Sequence, residues 1–423
     1  MDSCTYKAYV AILEEELIPA MGCTEPIAVA YAAAIARREL GALPDAAEIC
    51  VSGNIIKNVK SVIVPNTNGM KGLNAATAVG IVAGDPDAEL QVIAKVTPQQ
   101  IRETAEYLDK AKFTVKKSDS GFIFDIQITV EGGGHTASCR IVGSHTNVVC
   151  IKKDGRAVFE KACSEGESAH KTDRGVLSVE GIVEFADSVK LEDVRQVLSR
   201  QIEYNMAIAN EGLNTGYGAR IGKTLMAAYG GSVWVRAKAM AAAGSDARMN
   251  GCEMPVVINS GSGNQGITAS VPVIVYAREL GVSEEMLLRA LVVSNLVTIH
   301  LKSGIGSLSA YCGATSAGCG AGAGITYLYG GKFNEISHTI VNAVAINSGM
   351  ICDGAKASCA AKIASAVEAG LLGMQMYMHG NEFYGGDGIV TKGVENTISN
   401  IGKLARDGMS QTDQEIISIM IEK

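Results

Sequence analysis

The chain has 423 residues, of which 47% are hydrophobic and 19% charged, with 48 glycines and 11 cysteines. This length and apolar content supply a large buried core and exclude a disordered chain. The net charge of −7, with no basic cluster, argues against nucleic-acid binding. The first residues are acidic where a signal peptide is basic, and both long uncharged stretches are interrupted by glycine and polar residues. We therefore expect a cytoplasmic protein with no membrane contact.

The first 44 residues predict two helices around a turn. Apolar residues recur at helical spacing over residues 6–18, and an alanine-rich segment follows the turn IPAMGCTEP. Thr24 is expected to cap the second helix, and Pro26 suits its first turn, where a missing N–H is tolerated.

The middle of the chain changes to a pattern typical of strands. Two β-branched runs, EICVSGNII and KSVIVP, precede one or two helices around residues 72–110. Four alternating segments punctuated by glycine and aspartate then predict an antiparallel sheet: KFTVKKS, FIFDIQITVEGG, HTASCRIVGS and NVVCIKKDG.

From about residue 176 onward the periodicity is helical. The predicted fold class is therefore α+β, with a large, mainly helical catalytic body and a smaller α/β insertion that contains the antiparallel sheet. We expect residues 1–44 to form N-terminal helices of the body, 45–172 the α/β domain and 173–423 the helical catalytic domain.

The motif GCTEP at residues 22–26 is the first candidate for chemistry. Cys23 lies just before a predicted helix, where free N–H groups and the positive end of the helix dipole stabilise a thiolate. Such a thiolate serves as a base or a nucleophile; a buried turn cysteine is the alternative. Glu25 is a second candidate base, and otherwise a carboxylate favoured by the same dipole.

The second candidate is NSGSGNQGITASVP at residues 259–272. Its glycines allow a ligand to approach the backbone, and its hydroxyl, amide and N–H groups suit a carboxylate or phosphate. A tight turn between helices is the alternative. The candidate binding residues are Asn259, Ser260, Gly261, Ser262, Gly263 and Asn264.

Four cysteines near the C-terminal end form the third candidate: Cys312, Cys319, Cys352 and Cys359. The CxxC pairs typical of zinc sites are absent, and thiolates in a charge-poor, small-residue region suit an iron–sulfur cluster better. Packed core thiols are the alternative. On an unbroken helix Cys352 and Cys359 would lie about 10.5 Å apart along the axis, so both bind one cluster only if the chain leaves helical geometry, which Gly354 permits.

Together GCTEPIAVA, NSGSGNQGI, the glycine-rich segment around Cys312 and CDGAKASC resemble the L-cysteine desulfidase family over essentially the whole chain. That family is related to the alpha chain of iron–sulfur L-serine dehydratases, which the chain resembles over roughly residues 240–400. The resemblance implies a [4Fe–4S] cluster held by Cys312, Cys352 and Cys359 with one open iron, and Cys319 as the alternative to Cys312. It also implies that Cys23 is the proton acceptor.

The implied reaction is α,β-elimination of L-cysteine to pyruvate, ammonia and hydrogen sulfide. The loop at residues 259–266 would hold the substrate carboxylate, and the pocket wall would include Asn58, Asn66 and Thr67. The chain has a shorter spacing between its last two cysteines than the serine enzymes. Their SSSHT signature is reduced here to Ser144-His145-Thr146. Both differences favour cysteine over serine. All six histidines, which form no i, i+4 pair, are expected at the surface or in the core.

Three alternatives stay open at this point. L-serine could be the substrate of the same cluster, or a pyridoxal-phosphate lyase could use Lys238, which lacks the usual Ser-x-Lys context. A non-enzymatic iron–sulfur sensor would use the late cysteines but would leave GCTEP and the glycine-rich loop without a role. The expected partners are a small amino-acid substrate and a second copy of the chain in a homodimer.

Overall fold

The computed structural model describes residues 1–162, 172–306 and 308–421. It confirms the α+β fold class. The α-helices of the described chain are α1 (Ser3–Glu16), α2 (Thr24–Leu40), α3 (Gly53–Val59), α4 (Gly72–Ala83), α5 (Pro98–Lys110), α6 (Val179–Ser188), α7 (Leu191–Asn214), α8 (Ile221–Tyr229), α9 (Val233–Met249), α10 (Gly263–Leu280), α11 (Glu284–Ile305), α12 (Gly313–Leu328), α13 (Phe333–Asn347), α14 (Cys359–Met378), α15 (Val394–Lys403) and α16 (Ser410–Ile421).

The strands of the described chain form two sheets. Their bounds are β1 (Pro19–Met21), β2 (Ala46–Val51), β3 (Lys112–Lys117), β4 (Asp125–Gly132), β5 (His135–Val142), β6 (Val148–Lys153), β7 (Arg156–Glu160) and β8 (Pro255–Val257). The larger sheet has the order β3-β2-β4-β5-β6-β7, and β1 pairs with β8 in a separate two-stranded ribbon.

The larger sheet differs in two ways from the predicted antiparallel sheet. Its β2 and β3 are parallel, whereas the remaining neighbours are antiparallel. The connection from β2 to β3 contains three helices, and a long crossover of this kind returns the chain in the same direction. The run KSVIVP is also not a strand, because it makes only one bridge, from Ile63 to Lys71, and GNII lies in α3.

Helix α2 packs against one face of the sheet and against α4. Its side chains are buried on almost every side, which explains why small alanines fill it. The crossing of α2 and α4 is close, since a Cβ on Gly80 would lie 2.2 Å from the Ala30 carbonyl oxygen. The proposed division of the chain near residues 45 and 172 stays a prediction.

Helix α12 lies at the centre of the helical body and contacts α10, α11, α13 and α14. Its glycines bring backbones together: a Cβ on Gly318 would lie 2.2 Å from the Ala366 carbonyl oxygen of α14. Among the described residues α11 alone is long and apolar enough to cross a membrane, and most of it is buried here. It therefore serves as a core helix of this body.

The ribbon of β1 and β8 joins distant parts of the chain. Pro19 pairs with Val257 and Met21 with Pro255 in antiparallel fashion, so GCTEP follows one end of the ribbon and the glycine-rich loop follows the other end. A Cβ on Gly22 would lie 2.0 Å from Pro65 Cγ, which ties the GCTEP turn to the segment after α3. Because the ribbon is only three residues long, the two sequence motifs stay close to each other.

Replacing Gly80 with Ala is expected to lower the free energy of unfolding by about 1–3 kcal/mol, because the new methyl overlaps the α2 backbone. The matched control is Gly304→Ala in α11, where a Cβ has ordinary contacts at 3.4 Å and helix propensity favours alanine. Urea unfolding of both variants checks this. A Gly80→Ala protein as stable as the control would contradict the close crossing.

Candidate functional site

The first turns of α2, α10, α12 and α14 meet in one region of the structure. Thr24 Oγ1 donates a hydrogen bond of 3.0 Å to the Gly261 carbonyl, which joins α2 to the loop before α10. The Gln265 side chain of α10 lies against Gly313, since a Cβ there would approach it within 2.7 Å. Cys23 belongs to a small apolar cluster against which Cys359 packs.

All four helices begin without a side-chain cap. Their N-cap residues are Cys23, Ser262, Cys312 and Ser358, and none accepts a capping hydrogen bond with its side chain. The expectation that Thr24 caps α2 is wrong: Cys23 occupies the cap position, and Thr24 is the first helical residue. In α14 the N–H groups of Cys359 and Ala360 donate to the Lys356 and Ala357 carbonyls of the preceding turn. The uncapped first turns of α2, α10 and α12 present free N–H groups, and all four helices direct positive dipole ends to this region, so it attracts anions.

Cys23 and Glu25 form a hydrogen-bonded pair at the start of α2. The Cys23 Sγ donates to Glu25 Oε2 over 3.0 Å. Asn58 Nδ2 donates to the other carboxylate oxygen over 3.1 Å, and Thr24 Oγ1 lies 3.2 Å from Oε2. Burial, and then the negative charge of Glu25, raise the pKa of the Cys23 thiol well above its ordinary value, while Arg248 opposes this. The thiolate expected from the helix dipole is therefore a thiol here, because burial and Glu25 outweigh the dipole.

The loop at residues 259–263 is shaped by hydrogen bonds of its own. Asn259 is fully buried and donates to Asn295 Oδ1 over 2.9 Å, and Ser260 Oγ donates to Asn259 Oδ1 over 2.8 Å. The N–H groups of Asn259 and Ser262 are used between these two residues. Ser260 and Gly261 have positive φ angles of 49° and 76°. Asn259 and Ser260 thus fix the loop, and the free N–H groups belong to the first turn of α10, which begins at Gly263.

The two cysteine-bearing segments run side by side. Tyr311 and Ile351 form an antiparallel bridge, the Cys312 N–H donates to the Met350 carbonyl, and the Cys352 N–H donates to the Ala310 carbonyl. Cys359 follows as the first residue of α14. Burial, and then the neighbouring Cys352 and Cys359, raise the pKa of the Cys312 thiol to about 12. The three sulfur-bearing side chains thus face one another closely enough to interact electrostatically.

The chain between Cys352 and Cys359 leaves helical geometry, as their spacing requires. Gly354 has a φ of 96°, and a Cβ on it would lie 2.3 Å from the Lys57 carbonyl oxygen. Only glycine combines this conformation with this approach. The resulting bend places Cys359 Sγ 3.7 Å from the Gly354 carbonyl oxygen, so that the seven-residue spacing no longer separates the two thiols along a helix axis.

Cys319 lies apart from the other three late cysteines. It is inside α12, two turns beyond Cys312, and is fully buried. Burial raises the pKa of its thiol to about 12, with no contribution from another cysteine. The geometry therefore favours Cys312 over Cys319 as the cysteine grouped with Cys352 and Cys359.

Lysines surround the three grouped thiols. Lys362 donates to the Ile351 carbonyl over 2.8 Å and pairs with Asp353 over 2.5 Å. Lys302 is buried, donates to the Gly306 carbonyl and faces Cys312 and Cys352. Burial lowers the pKa of Lys302 to about 8, while the two thiols oppose that change. The ammonium groups of Lys302 and Lys362 would offset the negative charge that the three thiols acquire when they ionise.

The three thiols fit a polynuclear group better than a single ion. Among the described residues no three Cys, His, Asp or Glu side chains lie close enough to hold one metal ion. Buried thiols that raise one another's pKa ionise together only when a cation compensates them. A cluster of several irons supplies that charge and spans ligands that stand further apart. The donor set, three cysteines without a carboxylate, is the set such clusters use.

Two residues that the sequence argument did not select also face this region. His145, in the turn between β5 and β6, packs edge-on against Phe124 and lies next to Gly261. Its Nε2 atom is buried and has no hydrogen-bond partner among the described residues, and burial lowers the pKa of its imidazole, which favours the neutral ring. The expectation that His145 is a surface or core histidine stays a prediction; the resemblance of Ser144-His145-Thr146 to SSSHT is the only sequence signal for its place beside Gly261. Arg248 of α9, which no motif marked, influences both Cys23 and His145.

The three predicted wall residues differ in their placement. Asn58 contacts Glu25 directly and is part of the site. Asn66 donates to the Ile93 carbonyl over 2.7 Å, and Thr67 donates to the Val64 carbonyl over 2.6 Å. Both side chains are buried next to Pro65, which packs on Gly22; Thr67 bonds within this segment, and Asn66 ties the segment to Ile93. They therefore support the GCTEP turn, and in the described part of the chain neither forms a hydrogen bond with Cys23 or Glu25.

Comparison with known proteins relates this chain to the serine dehydratase alpha chain. The family model described as serine dehydratase alpha chain matches residues 87–418. A UPF0597 protein of Desulfitobacterium hafniense is 58% identical, covering 99% of this chain and 97% of its own length. A UPF0597 protein of Lachnoclostridium phytofermentans is 49% identical and covers 98% of this chain and 100% of its own length. A UPF0597 protein of Oleidesulfovibrio alaskensis is 41% identical and covers 99% of this chain and 98% of its own length.

The chain belongs to the serine dehydratase alpha-chain family and, within it, to the UPF0597 proteins. The kinship with the dehydratase alpha chain that the sequence motifs suggested is confirmed. Its expected extent, roughly residues 240–400, is wrong, because the match begins at residue 87 and includes most of the larger sheet. Motifs in loops are visible by eye, whereas similarity in strands is spread over apolar positions that many sheets share.

Replacing Cys312, Cys352 or Cys359 singly with Ala is expected to reduce bound iron and acid-labile sulfide to less than about a fifth of wild type, since each removes one ligand. Cys319→Ala is the matched control, because its thiol lies in the same helical body but stands apart from the other three. Iron and sulfide analysis of anaerobically purified proteins measures this. Full iron in the three variants, or loss only in Cys319→Ala, would contradict the grouping.

Proposed function

We propose that this protein eliminates hydrogen sulfide from L-cysteine and releases pyruvate and ammonia. The observation that supports this most is the meeting of two reactive sets at the same helix starts: Cys23 with Glu25, and Cys312 with Cys352 and Cys359. Membership of the serine dehydratase alpha-chain family supports a lyase acting on an amino acid. The choice of cysteine as substrate rests on the resemblance of the motifs to cysteine desulfidases.

In this proposal Cys312, Cys352 and Cys359 would hold a [4Fe–4S] cluster with three cysteine ligands. When bound, a cluster with an open coordination position would supply Lewis acidity to the substrate. Lys302 and Lys362 balance the charge of the ligating thiolates. The unpaired state of the ten described cysteines fits a reducing, cytoplasmic environment.

Cys23 removes the α-proton in this mechanism, and Glu25 prepares it. Because Cys23 is held as a thiol, it must first pass its own proton to the carboxylate that already accepts its hydrogen bond. The thiolate then takes the proton from the α-carbon as the carbon–sulfur bond breaks. The departing hydrosulfide takes the proton that Glu25 received, which restores the Cys23 thiol and the Glu25 carboxylate. The enamine left behind tautomerises and hydrolyses in water to pyruvate and ammonia.

The remaining residues orient the substrate. Asn58 holds the Glu25 carboxylate in place by a hydrogen bond to it, and Thr24, which donates to the Gly261 carbonyl, ties this turn to the loop before α10. The first turn of α10, with its free N–H groups at Gly263 and Asn264, presents donors to the substrate carboxylate. His145 is neutral and lies next to Gly261, so its ring closes the site on the side of the larger sheet.

Two alternatives are less well supported by the geometry. Lys238, the candidate for a Schiff base with pyridoxal phosphate, pairs with Glu368 over 2.6 Å and stacks over Tyr229. A sensor would not need the Cys23–Glu25 pair beside the grouped thiols. L-serine as the substrate needs the same groups, so the two substrates are separated only by assay.

The test is release of pyruvate from L-cysteine and L-serine by protein purified without oxygen, beside a sample stripped of iron by a chelator. We expect pyruvate and sulfide in equal amounts from L-cysteine, faster than pyruvate from L-serine, and neither product after stripping. Faster turnover of L-serine would make the protein a dehydratase. Unchanged turnover after stripping would contradict the iron-dependent mechanism.

Cys23→Ala and Glu25→Gln are each expected to lower kcat by about 100-fold or more, the usual contribution of a positioned acid–base group. Both are expected to keep full iron, because neither is a ligand. Cys139→Ala in β5, also fully buried, is the matched control and should retain wild-type kcat. Steady-state pyruvate release measures all three. If Cys23→Ala turns over at the wild-type rate with its iron intact, Cys23 is not the base.

A further inference from the structure

We propose that Arg248 binds the α-carboxylate of the substrate and that the side-chain carbonyl groups of Asn264 and Gln265 accept hydrogen bonds from its α-ammonium group. This inference rests on the proposed function, because it places the substrate beside Cys23. It goes beyond that function by assigning recognition of any α-amino acid to three side chains of α9 and α10. No motif identified in the sequence includes Arg248.

Arg248 is buried and, among the described residues, leaves hydrogen-bond donors unused, as expected of a side chain that binds a charged ligand. The residue is only 2% exposed, and its Nε is buried without a hydrogen-bond partner. Within the described residues the structure gives its guanidinium no hydrogen bond and no ion pair within 4 Å. A Cβ on Gly263 would lie 2.3 Å from Arg248 Nε, so the missing side chain of that glycine makes room for the guanidinium at the start of α10.

This position gives the guanidinium no direct ion-pair partner among the described residues. The guanidinium lies against the first turn of α10, whose free N–H groups are also positive, and it acts electrostatically on Cys23 at the start of α2. The C-terminal end of α9 supplies only a partial negative charge. The Glu25 carboxylate acts on Cys23 and His145 from the same region, but it accepts its hydrogen bonds from Cys23 and Asn58. A bound carboxylate would supply the direct partner, in the forked geometry that arginine favours.

The acceptors for the ammonium group lie on the same helix turn. Asn264 Oδ1 and Gln265 Oε1 are buried, and neither accepts a hydrogen bond in the described structure. Gln265 also lies against Gly313, the residue after Cys312, so it bridges the loop and the grouped thiols. Buried carbonyl oxygens without donors are costly in free energy, and an ammonium group satisfies several at once.

The test is calorimetric binding of three unreactive probes to anaerobically purified, iron-containing protein. L-Alanine carries both charged groups but has no leaving group, propionate lacks the ammonium, and ethylamine lacks the carboxylate. For wild type we expect L-alanine to bind most tightly and each of the other probes at least about 10-fold more weakly, as expected for loss of a charged hydrogen bond. Wild-type protein that binds ethylamine as well as L-alanine would overturn the proposal.

The variants are Arg248→Met, Arg248→Lys and the control Arg236→Met, which removes an exposed arginine of the same helix that pairs with Glu279. Arg248→Met should weaken the binding of L-alanine and of propionate by about 10- to 100-fold and leave the binding of ethylamine unchanged. Arg248→Lys should restore part of that loss. Arg236→Met should bind all three as wild type does. Equal affinity of Arg248→Met and wild type for L-alanine would contradict the assignment.

Thermal unfolding separates this role from a purely structural one. Removal of a buried charge that lacks a partner stabilises a fold, so Arg248→Met without ligand should unfold at a temperature equal to or above that of wild type. A lower unfolding temperature together with loss of all three probes would show that Arg248 supports the fold instead. These binding results hold whether or not pyruvate is formed from L-cysteine, so failure of the proposed function is distinguishable from failure of this inference.

Discussion

The central constraint on this molecule is the meeting of four uncapped helix starts. Each first turn leaves backbone N–H groups without intrahelical partners and a partial positive charge. In most proteins a serine, threonine or aspartate side chain satisfies these groups, but Cys23, Ser262, Cys312 and Ser358 do not. The positive ends of these helices repel one another when no negative group lies between them, and they attract thiolates and carboxylates. It explains why reactive cysteines and a glycine-rich loop occur at the same helix ends.

Close packing of small residues makes that meeting sterically feasible. Helix α12 contacts four other helices, and glycine spacing along it lets backbones approach where a methyl group would clash. Gly22, Gly263 and Gly354 allow the same close approach at the site, because a Cβ on them would overlap Pro65, Arg248 and the Lys57 carbonyl, respectively. The 48 glycines and the low charged fraction of the chain are thus consequences of crowding helices around a polar centre.

Much of this arrangement is readable from the sequence, for reasons that are local. The bend at Gly354 follows from two cysteines seven residues apart and one glycine between them. The loop before α10 follows from its glycines and polar residues. The helical body follows from periodicity. Each of these signals lies within a few residues of the feature it predicts.

The rest depends on contacts between distant segments, which local patterns do not contain. Arg248 lies in an ordinary helix, and only the packing of α9 against α10 shows that its Nε is buried with no hydrogen-bond partner among the described residues. His145 reaches the site because β5 and β6 present their turn to the loop at Gly261. The ionisation of Cys23 was misjudged because the dipole of α2 is visible in sequence, whereas its burial and its hydrogen bond to Glu25 are properties of the fold. The parallel pairing of β2 with β3 likewise depends on a crossover of three helices.

The central claim is that the grouped thiols and the amino-acid site share one cavity at these helix starts. Mössbauer spectroscopy of protein reconstituted with isotope-labelled iron tests it most directly, with and without 3-mercaptopropionate, which keeps the carboxylate and the thiol of L-cysteine but lacks the amino group needed for the reaction. The account predicts that one iron of each cluster, the one without a cysteine ligand, changes its spectrum when this compound binds while the other three do not. A spectrum unchanged by saturating 3-mercaptopropionate, with binding verified by calorimetry, would contradict a shared site.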